Sequence, residues 1–469
     1  MNVRFHGPVI AIVGGGFTGA AIAYHLARAR TPGRTIIFEP RARVGGGLAY
    51  SSEDGQHRIN VPAGKMSLLP DADDHFLRWI ERTGAVDDDP EALAPDGQLY
   101  PRRSVFGRYV NAHVAPLIDD RTIRHVQDHV VLVKRDGTNW FIQTDNGSAI
   151  RADVVIIATT HPAPVAPRVL TKELAGDPRF VADATRPDAL AQIGASDSIL
   201  VVGNGLTAAD VIASLDARGH RGRITALSRR GLRSRGHPDK PAEPFGLFTD
   251  PPPVSAIDFL RRVRAEIGRA AAQGISWHPV IDAVRAQAQT IWPLLPVAEQ
   301  RKIVRHLRPF WDVHRFRIAP QPEAVIARRI AEGWLSIVSG SIVAAEAKPE
   351  SISIAWRDRR SRATTETFNA VIVTTGPAHE SVLQSQSYLA GLAHDGWLVP
   401  DAVGLGISCD RQGRAISSHG ISTPTLYVAG PLARGTFGEL MGLPQVSHYA
   451  RQIALSVAAD FALPATADS

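Results

Sequence analysis

Cysteine is nearly absent from this chain: Cys409 stands alone among 469 residues. A single thiol cannot close an intramolecular disulfide, form a CxxC redox pair, or supply the ligands of an iron–sulfur cluster or a cysteine-rich zinc site. Lysine is scarce as well. Only Lys65, Lys134, Lys172, Lys240, Lys302 and Lys348 stand among the 52 basic residues, and the arginines are scattered among acidic neighbours. The formal net charge of +6 therefore gathers into no tract suited to a phosphate backbone, and no nucleic-acid partner is expected. Long apolar runs are missing too. The run near the start, Val9–Val13, is five residues, against the ~20 of a membrane helix and the ~7–15 of a signal peptide's apolar core. No membrane association is expected, and a cytoplasmic location is the default. HExxH and GxSxG patterns are also lacking, so no zinc-peptidase helix, no hydrolase nucleophile elbow and no metal site are expected.

What is present is globular: 44% hydrophobic and 21% charged residues, in a length that corresponds to about two to four domains. Val9–Val13 reads as a buried strand. It runs into Gly14-Gly15-Gly16-Phe17-Thr18-Gly19, followed by the helically periodic AAIAYHLARA and a second apolar strand, Thr35–Phe38, closed by Glu39. Helices are expected at His75–Thr83 and Gly107–Leu117. From His125 the period changes to alternation between the Asp136-Gly137 and Asn146-Gly147 turns, which predicts an antiparallel meander feeding a buried strand, Val154–Ala158. A proline-rich connection, His161–Pro167, follows, and then the pattern starts again. Ser198–Val202 is a strand, Gly203 to Ala208 a second glycine turn leading into a helix that ends at Gly219, and Arg223–Leu227 a strand closed by Ser228-Arg229-Arg230. A second meander and apolar strand, Ala370–Thr374, complete the repeat.

A dinucleotide pyrophosphate lies on backbone N–H groups at a helix N-terminus. Its turn therefore needs one glycine for its dihedrals, one for phosphate approach and one for helix-to-strand packing. Gly14, Gly16 and Gly19 supply these, with Phe17 and Thr18 between them, and Glu39 stands where it can take ribose hydroxyls. The second turn, Gly203, Gly205 and Ala208, is followed by Ser228, Arg229 and Arg230 in place of the acid. A ribose 2′-phosphate would meet cations there, which favours NADPH over NADH. The acid-trailed turn is assigned to FAD. A helix expected to begin near Gly438 would point its positive end at the flavin if the strand Thr425–Ala429 and the following Gly430-Pro431 lie beside that ring.

The expected fold class is α/β, with two Rossmann-like dinucleotide-binding domains in a three-layer, glutathione-reductase-like arrangement. Residues 1–165 and 390–469 form the FAD domain and 166–389 the NAD(P) domain. Ser255–Arg317 is dense in Ala, Arg and Leu at helical spacing and marks a helical insertion at about 240–325. His237, His314, Arg315 and Arg317 are candidate substrate contacts, because a cationic cluster would orient a carboxylate or acidic heterocycle.

Several segments are more particular: GGGFTG, RINVPAGKMSLLPDADDHFLRWI (58–80), YPRRSVFGRYV (100–110), SRRG (228–231), WDVHRFRIAP (311–320) and LYVAGPLARGTFGELMGLPQV (426–446). In these the chain resembles the FAD/NAD(P)-binding flavoproteins that include an FAD-dependent urate hydroxylase and an aspartate N-monooxygenase. The resemblance implies that Asn60, Val61, Pro62 and Met66 lie near the flavin ring and that Arg102, Arg103 and Tyr109 border the cleft. Phe316 stands where that family's segment has histidine.

The expected activity is an FAD- and NAD(P)H-dependent monooxygenase acting through a flavin hydroperoxide, with a small polar or nitrogen-containing substrate and O2 as partners. The oxygen chemistry belongs to the cofactor, so no side-chain nucleophile is required. The alternative is an NAD(P)H-dependent electron-transfer reductase with the same two cofactors. A third reading is a nucleotide-binding scaffold without catalysis.

Overall fold

The short apolar runs Val9–Val13, Val154–Ile157, Ile199–Val202 and Ala370–Val373 become inner strands of two largely parallel sheets in the computed structural model, which describes residues 7–461. In the first sheet the order is Arg414–Ile416, Ser422–Val428, Val154–Ile157, Val9–Val13, Arg34–Phe38, Ile123–Val126. Only the outermost pair, at Arg414–Ile416, is antiparallel. In the second the order is Leu335–Ser339, Ile224–Ser228, Ile199–Val202, Ala370–Val373, Phe180–Val181, all parallel. Parallel strands are covered on both faces, which is why their sequences are continuously apolar.

The internal repeat is also a structural repeat. In each sheet the glycine-turn strand lies between the strand that follows it and a strand that returns from an antiparallel meander. The meanders are Val130–Asp136, Asn139–Thr144, Ala149–Ala152 and Ser341–Ala347, Ile352–Arg357, Ala363–Phe368. Each glycine turn opens a helix, Phe17–Arg28 or Leu206–Ala217. The predicted helix His75–Thr83 is present with those bounds, whereas the one expected over Gly107–Leu117 extends to Arg103–Asp119.

Between the second and third strands of the later unit lie the helices Ala256–Ala272, His278–Ile291, Val297–Lys302 and Arg308–Arg315, the last two joined by one π-helical stretch, Ile303–Leu307. They close over their own core of Phe248, Val280, Val284, Ile291 and Leu295. The first is capped by Ser255, whose hydroxyl accepts the Asp258 N–H at 3.2 Å. The insertion ends sooner than the expected residue 325. Helix Pro320–Ala331 packs on Leu206–Ala217, with Ile326 in the sheet's apolar cluster and Arg329 paired to Asp216 at 3.2 Å. It is the crossover that parallel strands require, and helical periodicity alone does not separate it from the insert.

The chain also rejoins the first unit before residue 390, since Val382, Leu383 and Tyr388 already lie in that unit's core. A second correction concerns the terminal helix, expected near Gly438. Only a single turn, Arg434–Phe437, precedes that glycine, and the long helix begins at Leu443 behind Gly442. Gly438 has φ +74° and sits so close to Trp292 that a Cβ would lie 2.6 Å from its indole, so the backbone breaks there.

Candidate functional site

The first glycine turn has the form that its sequence requires. Gly14 adopts φ +105° and donates its N–H to Phe38 O at 3.0 Å. A Cβ on Gly19 would lie 1.9 Å from Gly14 O, so this third glycine is fixed by helix-to-strand packing. Gly430, at φ +63°, lies against the same turn, where a Cβ would come 2.6 Å from Thr18 Oγ1. A cavity of about 800 Å3 opens here, lined by Gly14, Gly16, Phe17, Thr18, Glu39 and Pro431, and it continues past His161 to Leu443 at the start of the terminal helix. Glu39 is buried. Its Oε2 accepts the Gly15 N–H at 3.1 Å, and its Oε1 accepts the Arg41 guanidinium at 2.9 Å. Asn60, Val61 and Met66 do not line this cavity. Met66 is buried in the first core with Val61 packed beside it, and Asn60 O faces His237 Nε2 at 3.0 Å.

The second turn repeats the first. Gly203 has φ +117° and donates to Leu227 O at 2.9 Å. A Cβ there would lie 2.7 Å from Thr374 O, as one on Gly14 would lie 2.6 Å from Ala158 O. Ala208 takes the packing position and is buried. A Cβ on Gly205 would meet nothing within 4 Å, which leaves that backbone open to approach. Asn204 donates to Ser228 Oγ at 3.2 Å, and its buried Oδ1 has no partner. Arg229 is exposed and the Arg230 guanidinium lies 5.2 Å from the Phe310 ring centroid. Neither arginine has a carboxylate within ion-pair distance among the described residues. The two turns are thus alike in backbone and opposite in charge, which fits an adenine dinucleotide with free ribose hydroxyls at the first and a 2′-phosphorylated one at the second.

The four candidate substrate contacts separate. Arg315 is buried and gives both Nε and Nη2 to Glu439 Oε1, at 3.1 and 2.7 Å. Arg317 pairs with Asp282 at 2.9 Å. His237 is engaged with Asn60 O, and burial pushes its imidazole down to about 4. His314 alone among them lines the second cavity, about 360 Å3 within the helical insert, where it meets the Trp277 ring edge-on. Arg103, expected to border the cleft, instead joins the two units through Asp210 at 2.8 Å. Arg102 pairs with Asp88 at 3.2 Å, and Tyr109 OH lies 2.7 Å from His75 Nδ1. Three residues that the sequence did not single out stand at the site: His161 in the first cavity, and Arg434 and Glu439 in the second. The last two fall in the glycine-rich run GPLARGTFGELMG, whose spacing was the available signal.

Two Rossmann-type dinucleotide-binding units with an inserted helical cap define the class of fold. Residues 11–162 match the family model described as FAD-NAD(P)-binding. No curated protein matches the chain. Among solved structures, the Kutzneria sp. 744 ornithine N-hydroxylase superposes with a TM-score of 0.65 at 14% identity, covering 96% of this chain and 99% of that one. The L-lysine 6-monooxygenase from Pseudomonas syringae gives 0.61 at 19% identity over 96% and 99%. T. acidophilum thioredoxin reductase gives 0.52 at 13% identity over 97% and 98%.

Proposed function

We propose that this chain is an FAD- and NADPH-dependent monooxygenase, in which substrate–H, O2, NADPH and H+ yield substrate–OH, NADP+ and water. The observation that carries this reading is the pair of glycine turns, alike in backbone form, one beside Glu39 and the other beside Arg229 and Arg230. When bound, the nicotinamide supplies hydride and the flavin supplies the oxygen chemistry. The protein's part is to hold and orient. Glu39, which lines the first cavity, would hold the ribose hydroxyls of a nucleotide bound there. The N-terminus of helix Leu443–Asp460 lines the same cavity and directs partial positive charge into it. Arg229 and Arg230 select the phosphorylated nucleotide.

The ornithine N-hydroxylase and the L-lysine 6-monooxygenase named above favour oxygenation of a small polar or nitrogen-containing substrate over electron transfer. Dithiol transfer has no support in this chain, because Cys409 is alone and buried, and burial pushes its thiol up to about 11. No helix among the described residues is long and apolar enough to cross a membrane, in keeping with the proposed cytoplasmic setting. The test is NADPH consumption by the FAD-loaded enzyme with and without O2, with mass spectrometry of the product. One added oxygen supports the monooxygenase. Anaerobic turnover with a dye, and no oxygenated product in air, would replace it with the reductase.

A further inference from the structure

The cavity inside the helical insert is lined by apolar side chains, among them Phe259, Val263, Ile267, Val284, Leu295 and Ile303. Its volume of about 360 Å3 lies in the range of small-ligand sites, ~300–1,000 Å3. Its charged lining consists of Arg264, Arg308, Arg434 and Glu439. Of these, Arg434, 3% exposed, makes no side-chain hydrogen bond among the described residues. Its nearest carboxylate oxygen, Asp312 Oδ1, is 3.7 Å away, and its Nε is enclosed without a partner.

The surroundings compensate it only through that longer ion pair, made to an Asp312 oxygen that has no hydrogen-bond partner of its own, and through the Phe316 ring 6.0 Å away. Asp312 is engaged by Arg308 at 3.2 Å, and Glu439 by Arg315 at 2.7 Å. That leaves Arg434 and Arg285 as surplus cations. Arg285 has one amide acceptor, Gln445 Oε1 at 2.8 Å, and burial together with neighbouring Arg315 depresses its guanidinium to about 10. A buried guanidinium without a hydrogen-bonded anion is costly, and a planar two-oxygen anion is its natural complement. Glu439 Oε2 is buried in the same wall without a partner and would repel a second negative charge.

We propose that this cavity binds a monocarboxylate with an apolar body, the carboxylate on Arg434 and the body among the insert's aliphatic and aromatic side chains. Assigning that molecule as the substrate rests on the monooxygenase reading. The site adjoins the cofactor cavity: Pro431 and Leu432 line the larger space, while Arg434, Gly438 and Glu439 line the smaller, so one short stretch of chain forms the wall between them. The ligand's polar end lies against that wall.

Titration calorimetry of the FAD-loaded enzyme with octanoate, 1-octanol and octylamine tests this directly. Octanoate binds tightest, and each methylene removed from it weakens binding by about threefold to fourfold. Arg434→Met weakens octanoate by at least about tenfold and leaves octanol unchanged, with the flavin spectrum as the check on folding. Val284→Trp, which fills the cavity, weakens both. Octylamine binding as tightly as octanoate, or affinity independent of chain length, overturns the proposal on the unmodified enzyme alone. So does octanoate binding that ignores Arg434→Met in a flavin-loaded variant. Oxygenation is read separately by O2-dependent NADPH consumption. Octanoate that binds as described to an enzyme with no oxygenase turnover upholds the site and sinks the functional reading.

Discussion

Arg103 and Asp210 form a two-pronged ion pair across the boundary of the two nucleotide units, with Nη1–Oδ2 at 2.8 Å and Nη2–Oδ1 at 3.1 Å. Arg103 opens the helix Arg103–Asp119 of the first unit, and Asp210 lies on the helix that follows the second glycine turn. His57 Nε2 adds a contact at 3.4 Å to Ser214, one turn further along that helix. Burial raises the Asp210 carboxyl, and Arg103 is the largest influence opposing it, followed by His57. Arg103→Met strands a buried carboxylate and is expected to cost on the order of 3–5 kcal/mol. The double variant with Asp210→Asn should recover most of that loss. A double-mutant cycle by urea denaturation measures the coupling, and additive single effects would show that the pair holds nothing together.

Gly205→Ala separates ligand approach from folding. The backbone there has φ −85°, which alanine adopts without strain, and the added methyl would touch no protein atom within 4 Å. The thermal midpoint should therefore stay within about 1–2 °C of the parent, while KM for NADPH rises at least about tenfold because the methyl stands where the pyrophosphate must come. In contrast, Gly19→Ala drives a methyl into Gly14 O at 1.9 Å and should lower both stability and flavin content. Equal NADPH kinetics in Gly205→Ala and the parent would remove the second turn from the nucleotide site.

The arginines after the second strand carry the cofactor preference. Each of Arg229→Ala and Arg230→Ala is expected to raise KM for NADPH by about tenfold to a hundredfold, the worth of a charged hydrogen bond, and to leave KM for NADH within about twofold. Arg230 also lies over Phe310, so Arg230→Lys is a useful companion: it keeps the charge and relaxes the stacking. Steady-state kinetics with both nucleotides decide the matter, and parallel losses for NADPH and NADH would mean that these side chains do not touch a 2′-phosphate.

The nucleotide units were legible because their signals are local. Val9–Val13 and Ile199–Val202 are apolar runs too short for helices, and Gly14, Gly19 and Gly203 are each required by a close backbone contact within their own unit, such as Gly19 against Gly14 O. The insert was legible as helices but not as a cavity. Arg315 and Glu439 are 124 positions apart, and Arg317 and Asp282 are 35 apart, so nothing in the run WDVHRFRIAP reveals that two of its arginines are already spent on carboxylates. The break at Gly438 was hidden for the same reason, since it is imposed by Trp292 from the insert. What the sequence offered as a cationic substrate cluster is mostly a set of structural pairs, and the arginine left over, Arg434, lies outside it.

Three histidines link stability to acid. Burial is the first cause in each of His25, His161 and His237, and each imidazole is pushed from 6.5 down to about 4. His161 is held down further by Arg434 and Arg308. Between about pH 6.5 and 4 the unfolded chain binds protons that the folded chain refuses, so stability rises with pH across that window and falls as the solution is acidified through it. Each residue contributes on the order of 1–3 kcal/mol of that slope. His25 is the informative one to change, because its ring sits in the first core with Nε2 3.2 Å from Leu68 O, away from both cavities. His25→Gln should cost some stability at pH 7.5 yet shrink the difference between pH 7.5 and pH 4.5. Urea midpoints at the two pH values measure it, and a variant that keeps the parent's full acid sensitivity would show that His25 is protonated as readily folded as unfolded.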